Sequence, residues 1–160
     1  MRGRSMEAKV IVQVELNPTE DESKVIRALS NLIDVPSFTK HAHGNRAYIV
    51  LEGDASLLSK LRALLRRERI LDAARKVMLA GVEGSTITFH LNKQVAYAGH
   101  VSFCMPEGES PLGPITFHIK TEDPKLLIDW LATKTIDGVP VDELWKSGSQ
   151  HFAQSERRSR

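Results

Sequence analysis

A chain of 160 residues, 41% of them hydrophobic and 26% charged, is long enough to bury one core without disulfides or metals, which points to a single domain. Its one cysteine, Cys104, excludes an internal disulfide framework or a paired-cysteine metal site and favours a reducing, cytoplasmic setting. A net charge of +2 selects no class of partner, no apolar run approaches the roughly 20 residues of a membrane span, and the opening MRGRSMEAK lacks the apolar stretch of a secretory signal.

From Ala8 to Leu16, AKVIVQVEL sets Val10, Val12, Val14 and Leu16 at period two against Lys9, Gln13 and Glu15. This is the pattern of a half-buried strand, with Ile11 as an apolar residue on its polar side. Thr19 is placed to cap a helix and Glu22, three residues on, to return the hydrogen bond; Val25, Ile26, Leu29, Leu32 and Ile33 follow at helical spacing. Pro36 ends that helix near Asp34. Ser37 to His43 and Arg46 to Leu51 read as two strands around a turn at Gly44, with Ala47, Ile49 and Leu51 facing the core. Ser56 can cap the next run, in which Leu57, Leu58, Leu61, Leu64 and Leu65 form an apolar stripe continued by Ile70, Leu71, Ala74, Val77 and Met78. One long helix and two in series fit that pattern equally, and Gly81 and Gly84 stop it.

In the second half, Thr86 to Leu91, Ala96 to Cys104 and Pro114 to Thr121 alternate as strands. Their buried set is Ile87, Phe89, Leu91, Val101, Phe103, Ile115, Phe117 and Ile119. Asp123 caps a last helix with Pro124 in its first turn, carrying Leu126, Leu127, Trp130 and Leu131. Val139 to Trp145 reads as a short helical coda and Glu107 to Pro114 as loop. Strands and helices without regular strand-helix-strand alternation give an α+β fold, a two-layer sandwich with an antiparallel or mixed sheet and helices packed on one face. The domain spans 8–146, and 1–7 and the arginine- and serine-rich 147–160 read as flexible tails.

Helices on one face leave Thr88, His90, His100, Ser102, Thr116, His118 and Lys120 on the other. Three histidines there could bind a metal or handle protons. Single histidines on separate strands have no ligand spacing, so the reading as polar residues facing solvent or a partner prevails, and His41 and His43 are read the same way. Tyr48 is outward too, but no aromatic pair marks a base-stacking platform. Between Lys60 and Lys76 seven basic residues stand against two acidic ones, which suits phosphates on an accessible helix face or a solvated face with intrahelical ion pairs. Asn92, Lys93 and Gln94 interrupt the alternation between Leu91 and Val95 and read as a turn or bulge projecting polar side chains. The sequence carries no phosphate loop, nucleophile elbow or paired metal-ligand motif. No enzymatic activity, cofactor or metal is expected, and Cys104 reads as a structural thiol. The open sheet face or an edge strand could instead take a second copy of the chain, covering Ile11.

Taken in order, Asn17–Glu22 (NPTEDE), Arg67–Lys76 (RERILDAARK), Leu91–Ala98 (LNKQVAYA) and Ser110–Ile115 (SPLGPI) resemble uncharacterised protein family 0201, a group of small archaeal proteins, over roughly Lys9 to Thr133. The resemblance implies a fold similar to ribosomal protein L-five of the large subunit and a grouping with RNA-binding proteins, and it carries no functional residue over. The expectation is a non-enzymatic RNA-associated protein that uses Arg66, Arg67, Arg69, Lys76 and Lys93 for phosphates and Asn92 and Gln94 for polar contacts. The alternative is a homodimeric structural or protein-interaction domain without a nucleic-acid role.

Overall fold

The alternation read at the start of the chain builds the centre of the sheet. The computed structural model describes residues 7–35, 37–105 and 112–144; the expected tails beyond Glu7, most of the loop at 107–114 and Trp145 lie outside these. In β1 (Lys9–Leu16) Val10, Val12 and Val14 are buried and the residues between them are not. Antiparallel neighbours flank it on both sides, β3 (Arg46–Gly53) and β6 (Pro114–Lys120). Outside β3 lies β2 (Thr39–His43), and outside β6 lie β5 (Thr86–Asn92) and the two-residue β4 (Val82–Glu83). The order is β2-β3-β1-β6-β5-β4 with every pair antiparallel.

One apolar layer joins this sheet to its helices. Phe89 and Phe117 face each other across β5 and β6 with ring centroids 4.9 Å apart, over Val12, Ile49, Ile115 and Ile119, all essentially inaccessible. Each such side chain contributes roughly 1.5–3 kcal/mol through removal of its surface from water. The cover is α1 (Glu22–Leu32), a 3₁₀ turn (Ala55–Leu58), α2 (Ser59–Arg67), α3 (Leu71–Ala80), the five-residue α4 (Lys93–Tyr97) and α5 (Pro124–Leu131). They send Leu29, Leu58, Leu61, Leu65, Met78 and Leu127 into the same core.

Several local expectations are corrected. Asp21, not Thr19, caps α1 by accepting from the Ser23 N–H, and Asp54, not Ser56, caps the 3₁₀ turn; an aspartate sits close enough to each expected cap to displace it. The apolar run at 57–78, whose pattern fits one helix or two, is resolved as two helices in series, α2 and α3, parted where Arg69 adopts φ 59°. Ala96 to Cys104 is not a strand: α4 occupies its start, Gly99 turns the chain at φ 91°, and only a bridge between Phe103 and Leu91 remains. The coda expected at Val139–Trp145 opens as a strand, β8 (Val139–Pro140), paired with β7 (Thr135–Ile136) just before it, and turns helical only at 141–144. Gly81 ends α3 where its carbonyl accepts the Thr88 N–H, and a Cβ there would sit 2.0 Å from the Thr88 carbonyl oxygen. That contact, rather than backbone conformation, is what excludes any side chain.

Candidate nucleic-acid interface

The basic stretch divides into buried or half-buried cations that bind the fold together and exposed ones that, Lys60 apart, do not. Arg66, with a side chain only 15% exposed, donates to Asp142 and to Glu143, the latter at 2.7 Å. Arg62 reaches the same Asp142 at 3.1 Å and the Trp130 carbonyl at 2.8 Å, its guanidinium lying over the Trp130 ring. Arg66 holds the Asp142 carboxyl below its usual range against the opposing effect of burial. Arg75 is buried against Asp129 at 2.7 Å and the Ala132 carbonyl. Asp72 accepts from Thr135, so the expected ion pairs along α3 are replaced by contacts to other elements. Arg66 therefore leaves the phosphate-contacting set. Arg67, Arg69 and Lys76 are exposed and enter no ion pair among the described residues.

Lys93 leaves that set for a stronger reason. It is 3% exposed, pointing inward, and its ammonium donates to Glu20 at 3.0 Å and to the Glu15 and Leu112 carbonyls at 2.8 Å each. Glu20 also accepts from the backbone N–H and side-chain amide of Asn17, and that amide donates in turn to the Leu112 carbonyl. Burial alone would raise the Glu20 carboxyl; the Asn17 and Lys93 contacts outweigh it and hold it below the ordinary value. Asn92 is no bulge residue: its side chain accepts the Val95 N–H and starts α4. NPTEDE, LNKQ and the residue Leu112 of SPLGPI thus meet in one buried polar knot, with Gln94 exposed at its outer side.

Beside the knot, between α1 and α4, opens a cavity of about 360 Å³ lined by Thr19, Lys24, Val25, Ala28, Gln94 and Tyr97, with Glu20 and Lys93 behind them. Tyr97 is 40% exposed and the Arg27 guanidinium lies 5.8 Å from its ring centroid. Asn31 of α1 donates to the Ala96 and Tyr97 carbonyls, Lys60 of α2 donates to the Ser30 carbonyl of α1, and His100 meets Glu68 at 2.8 Å beside Arg67. These contacts tie α1, α4 and α2 into one face that presents Lys24, Arg27, Lys60 and Arg67, all exposed. Lys24, Arg27 and Tyr97 had no signal in the sequence as a site, because Tyr97 fell within an apparent strand.

On the opposite face of the sheet no helix lies among the described residues. Here the expected histidine cluster is corrected: His100 lies off the sheet with Glu68, leaving His90 against Thr116 and His118 against Thr88. Burial pushes the His90 imidazole down, and His118 adds to that. Among the described residues no group of three or more His, Cys, Asp or Glu side chains could hold a metal ion. No helix among them is long and apolar enough to cross a membrane.

Comparison with known proteins finds a family model described as RNA binding that matches residues 9–121. The chain is 48% identical over 136 residues to a UPF0201 protein of Sulfurisphaera tokodaii, covering 84% of this chain and 94% of that one. To a UPF0201 protein of Sulfolobus acidocaldarius it is 46% identical with the same coverage. A crystal structure of a UPF0201 protein from Methanococcus jannaschii superimposes with a TM-score of 0.73 at 31% identity, over 83% of this chain and 98% of that one.

Proposed function

We propose, from the premise that this chain belongs to the UPF0201 family of archaeal proteins and matches a family model described as RNA binding, that it is a non-enzymatic, cytoplasmic protein that binds RNA on its helical face. The observation that carries the reading is the sorting of its cations. Arg62, Arg66, Arg75 and Lys93 are spent on internal carboxylates and carbonyls, whereas Lys24, Arg27 and Arg67 stand exposed without an ion pair among the described residues, Lys60 is exposed while donating to the Ser30 carbonyl, and Arg27 lies against Tyr97. Phosphates need only accessible positive charge, and an exposed aromatic beside it accepts an unstacked base. Arg69, Lys76 and Gln94 flank this face as secondary contacts.

The test is binding of the purified chain to single-stranded and structured RNAs across a salt series. Four phosphate contacts give a log–log salt slope of about −3 on single strands. A Lys24/Arg27/Lys60/Arg67→Ala variant with unchanged circular dichroism loses that slope. Binding that the variant retains would move the site elsewhere, and no binding at low salt would remove the RNA reading. A second reading, a homodimer through the open sheet face, draws on Ile11, Tyr48 and Val50, which sit half-buried on β1 and β3 with no helix among the described residues over them.

A further inference from the structure

We infer that the cavity between α1 and α4 takes a single unstacked nucleobase, the phosphates of the same strand lying outside on Lys24 and Arg27; this rests on the RNA reading and specifies its ligand contact. Four features of the cavity select a flat, largely apolar ring with polar edges over other occupants. First, Val25, Ala28 and Tyr97 give it apolar walls, and at about 360 Å³ it stands at the small end of ligand cavities, roughly 300–1,000 Å³. That is room for a ring-sized group rather than a folded peptide segment.

Second, its back wall is electrically closed. All three N–H groups of Lys93 are taken up by Glu20 and the Glu15 and Leu112 carbonyls, so no free cation waits inside to bind a bare anion. Charge at the mouth is mixed, Lys24 standing beside Asp21, whose carboxylate accepts from the Ser23 N–H and hydroxyl, and a further cation, Arg27, lies beyond. Third, the side chains of Thr19 and Gln94 stand at the lining with no hydrogen bond among the described residues, offering a hydroxyl and an amide to the carbonyl and ring-nitrogen edges of a base. Fourth, Arg27 lies over the Tyr97 ring, and an aromatic ring and a guanidinium plane are the two surfaces on which extruded bases stack. A phosphate-only surface would need neither the apolar walls nor the tyrosine.

The experiment compares two fluorescently labelled strands of equal length, an oligonucleotide with bases and one built of abasic spacers, binding to the full chain at one low salt concentration. Each is also titrated against Tyr97→Ala and Gln94→Ala. Stacking of one base predicts that the abasic strand binds about 5- to 140-fold more weakly. Tyr97→Ala weakens the base-bearing strand by a similar factor while leaving the abasic one unchanged, and Tyr97→Phe restores binding. Gln94→Ala alters the ranking among adenine, uracil, cytosine and guanine homopolymers. Equal binding of the two strands by the wild-type chain, with the salt dependence intact, would overturn the base pocket and leave the RNA reading standing. Failure of both strands to bind would overturn the two together. Loss of both strands' binding in Tyr97→Ala and Tyr97→Phe alike would overturn the stacking assignment, since a surface disturbance rather than a lost ring contact would then be the cause.

Discussion

At the scale of single residues, Lys93 shows how a polar motif can be structural. A lysine between two polar neighbours is ordinarily an outward one, but its ammonium here closes contacts among three separated segments. Lys93→Met removes the partner of a mostly buried carboxylate, so a loss of about 3 kcal/mol is expected in urea unfolding. Adding Glu20→Gln should recover part of that loss, because the uncompensated charge goes with it. Glu20 is also a pH sensor of the fold. Its folded-state pKa lies below the ordinary 4.5, so the unfolded chain binds more protons in the window between the two values. Its contribution is complete above that window and is lost as pH falls through it. Thermal melts from about pH 5 to about pH 3 should show a shallower decline for Glu20→Gln. His90, whose pKa is depressed by burial, adds a separate loss that begins as pH falls below about 6.5. None of this was legible in the sequence: Lys93 and Glu20 are 73 positions apart, and residue types alone do not say which of 22 cations will find an internal carboxylate.

At the scale of elements, what was legible followed length. The strands that alternate for seven or eight residues, β1, β5 and β6, were read correctly along with every fully buried side chain in them. A helix of five residues is too short to show a 3.6-residue period, so in the sequence α4 reads as a turn or bulge at its start and as strand from Ala96. The boundary between α2 and α3 was equally hidden, because the apolar stripe runs through it while the backbone turns at Arg69. A non-glycine residue at φ 59° carries a strain of order 1–2 kcal/mol. Arg69→Val should therefore be destabilising by about 1 kcal/mol or more against Arg69→Gly, measured by chemical unfolding. Gly81→Ala belongs to a harsher class. The added methyl would meet backbone rather than a yielding side chain, and separating α3 from β5 should cost about 2–4 kcal/mol in the same assay.

At the scale of the whole molecule, the two faces make opposite demands. The helical face is charged and suits a soluble polyanion, whereas the sheet face carries an apolar centre at Ile11 and Val50 flanked by His90 and His118. If two chains pair through the sheets, Ile11→Lys should give a monomer in sedimentation equilibrium while RNA affinity per chain stays unchanged; a wild-type monomer at tens of micromolar would end that second reading. The α+β layering was legible from the sequence, but which face carries the exposed cations was not, since that depends on carboxylates supplied by α5 and the turn at 141–144. The strand order has a consequence in time. β1 leaves the ribosome well before β6, yet the partnership of the two joins residue 9 to residue 120. At roughly 5–20 residues per second, one edge of β1 stays unpaired for on the order of ten seconds while the rest is made. A nascent chain halted before β6 holds a bare, valine-rich strand, so premature termination in this gene should yield aggregates rather than a smaller working protein.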